Sequence, residues 1–130
     1  MTSQRFRGWY RNPVRKDWSL GVSYDEKGLA GVMYPDFLIF RSSEGGGIII
    51  DLLEPHAPSQ GDTTPKLLGM CRFAEHHGDK FGRIALILVE GAKGREKLLP
   101  IDVNDADIRG KARLLTENPQ VVSLARELNS

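Results

Sequence analysis

Four stretches of the chain carry side chains able to do chemistry together: Tyr34-Pro35-Asp36-Phe37, Ile50-Asp51-Leu52-Leu53, Glu54-Pro55-His56 and Thr64-Pro65-Lys66. Asp36 opens an apolar run, and Asp51 and Glu54 lie within or at the end of the next one. If the glycine-rich loop between these runs turns about Glu44, an antiparallel pairing sets Asp36 opposite Leu52 and diagonal to Glu54. Half a residue's shift sets it opposite Leu53, with Asp51 on the diagonal. Facing residues in such a pair lie ~5 Å apart and diagonal ones ~7 Å, so either register gathers acids around one ion. Crowded carboxylates repel and lose hydration, and a divalent cation is the usual relief. Glu54 and His56 alternate onto one face of an extended chain. Lys66, at the second position of the helix that follows, sits where phosphate is favoured.

The elements that must position these groups follow from periodicity. Trp18, Leu20, Val22 and Tyr24 alternate, which predicts a half-buried strand. Residues 29–40 read as a second strand, and Ile48-Ile49-Ile50 opens a third that is buried on both faces. Together they predict an antiparallel three-strand meander. Thr64 is the expected N-cap of a helix with Pro65 in its first position, and Leu67, Met70, Cys71 and Ala74 form one apolar stripe. Gly78 is expected to stop that helix in the left-handed conformation. Residues 84–89 predict a buried strand near the sheet centre, and Leu99, Ile101 and Val103 an edge strand marked by Pro100. A weak helix over roughly 105–115 and a last one starting at Asn118-Pro119, burying Val121, Leu124, Ala125 and Leu128, complete the order. The expectation is an α+β (mixed α/β) domain spanning 1–130, with a mixed sheet of about five strands flanked by helices. No helix precedes the first strand to cover one sheet face. That face is expected to meet a larger protein or a second copy, as a homodimer.

The Pro-Asp pair on the second strand, the acid closing the third and the helix that follows resemble the PD-(D/E)xK nuclease superfamily over roughly residues 17–90. Trp9-Tyr-Arg-Asn-Pro13, Tyr34-Pro-Asp-Phe37, Asp51-x-x-Glu54-Pro-His56 and Lys66-Leu-Leu-Gly are similar to nuclease-like modules linked to superfamily II helicases and type III restriction enzymes. The resemblance implies a restriction-endonuclease-like fold and phosphodiester hydrolysis assisted by Mg²⁺ or Mn²⁺, with DNA the expected substrate and helicase or ATPase regions as partners. It implies Asp36 and Glu54 as metal ligands, Asp51 as a further or alternative one, and His56 or Lys66 in the place of the family's lysine. The departure is that lysine. Counted from Asp51 its position holds Leu53, and counted from Glu54 it holds His56. A degenerate site, and so a non-catalytic nucleic-acid-binding or assembly module, is the alternative.

Other candidates are weaker. His76 and His77 point about 100° apart on a helix. Cys71 lies on the apolar stripe, and Gly45-Gly46-Gly47 lacks the lysine of a phosphate-binding loop. Asp62 reads as a loop or capping acid. The charge is segregated: residues 1–16 carry Arg5, Arg7, Arg11, Arg15 and Lys16 with no acid, whereas residues 17–62 carry eight acids against Lys27 and Arg41. With Trp9 among them, the N-terminal bases suit phosphate neutralisation and base stacking. They equally suit docking onto another part of a larger protein. The single cysteine excludes an internal disulfide, and no apolar run approaches the roughly 20 residues of a membrane helix. Without a secretion-signal pattern, a cytoplasmic location is expected.

Overall fold

The computed structural model describes residues 5–12, 19–26 and 28–130, with the backbone alone for residues 5–7 and 26. Strands β1 (Arg5–Arg11), β4 (Phe37–Ser42), β5 (Ile48–His56), β6 (Ile84–Glu90) and β7 (Lys97–Asp102) form one mixed sheet in the order β1-β4-β5-β6-β7. Only β5 and β6 run parallel, and the chain between them is helix α1 (Thr63–His77). Strands β2 (Val22–Glu26) and β3 (Leu29–Met33) form a separate antiparallel pair. Helices α2 (Ala106–Ala112) and α3 (Asn118–Leu128) end the chain. The domain is thus α+β with a five-stranded mixed sheet, as the periodicity predicts.

The meander, however, is built from other strands. The run expected over residues 29–40 breaks at Tyr34-Pro35-Asp36, because Pro35 has no N–H to give a ladder. Its first half pairs with β2 outside the main sheet. Its second half, β4, pairs instead with β1, drawn from the basic N-terminal segment. Arginines on β1 obscure its alternation; charged side chains are how edge strands avoid unwanted pairing.

One face of the sheet carries the core. Leu52 stands beside Ile84, Leu86 beside Ile101 and Leu88 beside Leu99, all buried. Against them lie Leu67, Met70, Cys71 and Ala74 of α1 and Val121, Leu124 and Ala125 of α3. Both apolar helix stripes are therefore as expected. On the other face Phe37, Ile39, Leu53 and Ile87 are only half-buried. Edge strand β7 carries Pro100, and α2 tolerates Gly110 within it.

Two glycines act through close approach. A Cβ on Gly69 would lie 2.6 Å from Tyr24 Cβ and 2.7 Å from the Ser23 carbonyl, so glycine there lets α1 press onto β2. Gly78 is right-handed, at φ −58°, and leads into a short 3-10 turn rather than the expected left-handed stop. A Cβ at Gly78 would collide with the Asn104 side chain, whose Nδ2 donates to the carbonyls of Gly78, Phe81 and Gly82.

Candidate functional site

The hairpin of β4 and β5 pairs Leu38 with Leu52 and Phe37 with Leu53, so it is centred on Gly45 rather than on Glu44. One step further along the ladder, Asp36 falls opposite Glu54, and its backbone N–H donates to Glu54 Oε1 at 3.0 Å. Pro55 is accommodated because β4 has already ended. Leu52 directs its N–H to the Arg83 carbonyl on the β6 side, so the alternating residue 55 faces the side β4 no longer occupies.

Glu54 is buried at the carboxyl end of β5, where the chain turns into α1. Lys66, in the first turn of that helix, holds Nζ 3.8 Å from Glu54 Oε2 and 3.4 Å from Asp62 Oδ2. Asp62 Oδ1 lies 3.5 Å from Nε2 of buried His56. Asp36, Glu54, His56, Asp62 and Lys66 therefore form one cluster of three carboxyl groups, an imidazole and one ammonium. Burial, and then the nearby Asp36 carboxylate, push the Glu54 carboxyl up to about 7, against the opposing pull of the Asp36 N–H bond and Lys66.

His56 is held in one tautomer. Its Nε2 lies 2.9 Å from Thr63 Oγ1, and that hydroxyl spends its only proton on the Gln60 carbonyl at 2.8 Å. The hydroxyl must then accept from Nε2–H. Burial and Lys66 lower the His56 pKa, with Asp62 opposing, so the ring is neutral near pH 7. Its Nε2 lone pair is unavailable to metal or water, and the ring serves as an anchor for the loop entering α1.

Asp51 does not join the cluster. Three residues from Glu54, an odd step, it lies on the opposite face of β5. There it accepts Arg41 Nε at 2.7 Å and Nη2 at 2.9 Å, together with the Arg83 backbone N–H at 2.7 Å. The bond to Asp51 raises the Arg41 pKa. The expected third ligand is thus half of a buried ion pair.

The N-terminal bases divide similarly. Arg11 pairs with Phe37 and Trp9 with Ile39, on the face away from Glu54. Trp9 is 60% exposed and meets the Phe37 ring edge-on, and the Arg11 guanidinium lies 5.7 Å from the centre of that ring. Arg15 and Lys16 lie outside the described residues, as does Trp18; for Arg5 and Arg7 the backbone alone places them on β1. Next in β1's path is Asn12, within the Trp9–Pro13 stretch. Its N–H donates to the Asp36 carbonyl at 2.9 Å. Its side chain donates to the Leu20 carbonyl at 2.8 Å and accepts the Leu20 N–H at 2.9 Å. The Asn-Pro dipeptide was the available signal, since asparagine there commonly bonds nearby backbone.

Asp62 is the other group the sequence undervalued. It occupies the N-cap position, two residues before Thr64, the expected cap, so that Pro65 is the third helical residue rather than the first; yet its side chain makes no capping bond. Asn118, from the start of α3, does so instead: its Oδ1 accepts Thr64 N–H at 3.0 Å and Thr64 Oγ1–H at 2.6 Å, and its Nδ2 donates to the Gly61 carbonyl at 3.1 Å.

The remaining candidates have structural roles. Cys71 is buried, and burial followed by the Glu75 charge pushes its thiol up to about 11, far from a nucleophilic thiolate. His76 is exposed and bonded within its own helix to the Arg72 carbonyl. Gly46, at φ +84°, closes a turn in which Gly46 N–H meets the Ser43 carbonyl at 3.1 Å. Among the described residues no group of three or more His, Cys, Asp or Glu side chains has metal-ligating geometry. Two oxygen donors, Asp36 and Glu54, nonetheless suit Mg²⁺, which keeps several waters and commonly takes one or two carboxylates. Among the described residues no helix is long and apolar enough to cross a membrane.

Comparison with known proteins places the chain in a family. No solved structure matches the chain. Protein YagJ of Escherichia coli (strain K12) is 39% identical over 105 residues, covering 78% of this chain and 42% of the relative, so the chain spans about two fifths of that protein's length. The YagJ family model matches residues 1–124, and the chain belongs to the YagJ family.

Proposed function

We propose that the domain hydrolyses phosphodiesters of nucleic acid, DNA in the first instance, with help from a divalent metal. The observation that carries this reading is the convergence of Asp36, Glu54 and Lys66 at the carboxyl end of β5 and the first turn of α1. Three carboxyl groups face one ammonium there, a surplus that a doubly charged cation offsets. Asp36 and Glu54 would hold Mg²⁺ or Mn²⁺, which supplies Lewis-acid polarisation of the phosphate and a more acidic bound water. Lys66 orients the scissile phosphate and balances charge that grows on its oxygens. Without metal the Glu54 carboxyl is pushed up to about 7, so binding of the cation there would release its proton and be favoured by rising pH. His56 fixes the loop between β5 and α1. The likeness to PD-(D/E)xK nucleases, including a restriction-endonuclease-like fold and a helicase-linked context, belongs to the same proposal. So does strand contact by Trp9 and Arg11, together with Arg5, Arg7, Arg15 and Lys16.

The test is incubation of the purified chain with DNA and Mg²⁺ or Mn²⁺. Cleavage is expected, and Asp36→Ala should remove it; no cleavage with either ion would end the enzymatic reading.

A second reading is a non-catalytic nucleic-acid-binding or assembly module. It is favoured by one observation: Glu54 Oε1 already accepts the Asp36 N–H and Oε2 already faces Lys66. Salt-sensitive DNA binding that survives Asp36→Ala, with no cleavage, selects this reading. Absence of DNA binding leaves protein assembly.

A further inference from the structure

The first turn of α1 has an unusual supply of donors. An N-cap side chain ordinarily accepts an N–H from the second or third helical residue. Counting from Thr63, the second is Thr64 and the third is Pro65, which has no N–H. One donor therefore remains within reach of Asp62, and Asn118 takes it from α3, 54 residues away in sequence. The Lys66 N–H bonds the Asp62 carbonyl at 3.1 Å rather than its carboxylate. With no local donor left, the Asp62 carboxylate turns to Lys66 Nζ and His56.

We propose that Asn118 is a positioning residue for the candidate site: by capping α1 from α3 it leaves the Asp62 carboxylate to hold Lys66 beside Glu54. Functionally the claim rests on the reading of Asp36, Glu54 and Lys66 as the site, but its structural half stands without it. In Asn118→Ala the Thr64 N–H loses its acceptor, and Asp62, an ordinary capping residue, swings onto it and releases Lys66. In Asn118→Asp the bond to the Gly61 carbonyl is lost, but an acceptor for Thr64 is restored at the same place, and Asp62 stays with the lysine.

The experiment is NMR of the full chain labelled with ¹³C and ¹⁵N, reading the Asp62 carboxyl carbon and the Lys66 side-chain signals at fixed pH. Both should shift in Asn118→Ala and return toward the wild-type values in Asn118→Asp. Pro65→Ala leaves the tie between α1 and α3 intact but supplies a second local donor. It should move the same signals in the same direction, which keeps the idea testable if Asn118→Ala fails to fold. Unchanged Asp62 and Lys66 signals in both Asn118→Ala and Pro65→Ala would overturn the proposal. If the chain cleaves DNA, Asn118→Ala should lower kcat by up to about 100-fold, the scale of a ~1 Å misplacement, with KM little changed and Asn118→Asp restoring the rate. If no variant cleaves, the nuclease reading falls while the NMR shifts still decide the positioning claim.

Discussion

Asp51 and Glu54 stand three residues apart on one strand, both buried, and have opposite fates. Asp51 meets a two-pronged guanidinium and a backbone N–H, so its charge is answered from several directions. Glu54 receives one backbone N–H and a lysine at 3.8 Å while facing further carboxyl groups, and its proton is held up to about 7. A buried acid that the fold needs is surrounded by donors. One kept short of donors retains lone pairs that a further ligand or a proton can use.

That contrast can be broken from either side. Asp51→Ala should be the most damaging change, because it removes a buried carboxylate that accepts two bonds from Arg41 and one from the Arg83 N–H; a loss of about 3 kcal/mol is expected in urea unfolding. A loss under about 1 kcal/mol would mean that the pair holds nothing together. Glu54→Gln should act in the other direction. A carboxyl whose folded pKa lies above its unfolded one makes the folded state hold its proton more tightly, so the stabilisation is complete below about 4.5 and lost as pH rises through about 7. Unfolding of the metal-free wild type should therefore become easier by up to about 3 kcal/mol between pH 4.5 and 8. Glu54→Gln should lack that decline and be the more stable protein at pH 8, while losing any cleavage. An unchanged pH slope in the variant would remove Glu54 as its source. The smallest stability effect belongs to Lys66→Met. Its ion pairs are 3.4 and 3.8 Å long and its side chain keeps 18% of its exposure, so it should cost under about 1 kcal/mol. The same variant should abolish cleavage; full activity would transfer the lysine's role elsewhere.

How much of this was legible depends on how local each signal is. The apolar stripes of α1 and α3, the continuous run of β6 and the proline on edge strand β7 are nearest-neighbour patterns, and they read through directly. β1 did not, because its arginines disguise an edge strand as a solvated tail, and residues 29–40 did not, because one proline divides an otherwise uniform run. The meeting of Asp36 with Glu54 was within reach of hairpin arithmetic, although the centre of the turn lies one residue later than Glu44. Excluding Asp51 needed only parity, since residues three apart on a strand cannot share a face. Asp62 was legible only in part. Pro65 shows that a capping donor is missing, but nothing local reveals that Asn118 arrives from the far end of the chain to take the other.

The two hydrogen bonds between Asn12 and Leu20 separate two tasks that one residue performs. Its side chain ties the end of β1 to Leu20, ahead of β2, while its N–H fixes the carbonyl of Asp36. Asn12→Ala would give up the first tie and keep the second, so the approach to β2 can be loosened while the acid just ahead of β4 keeps its address.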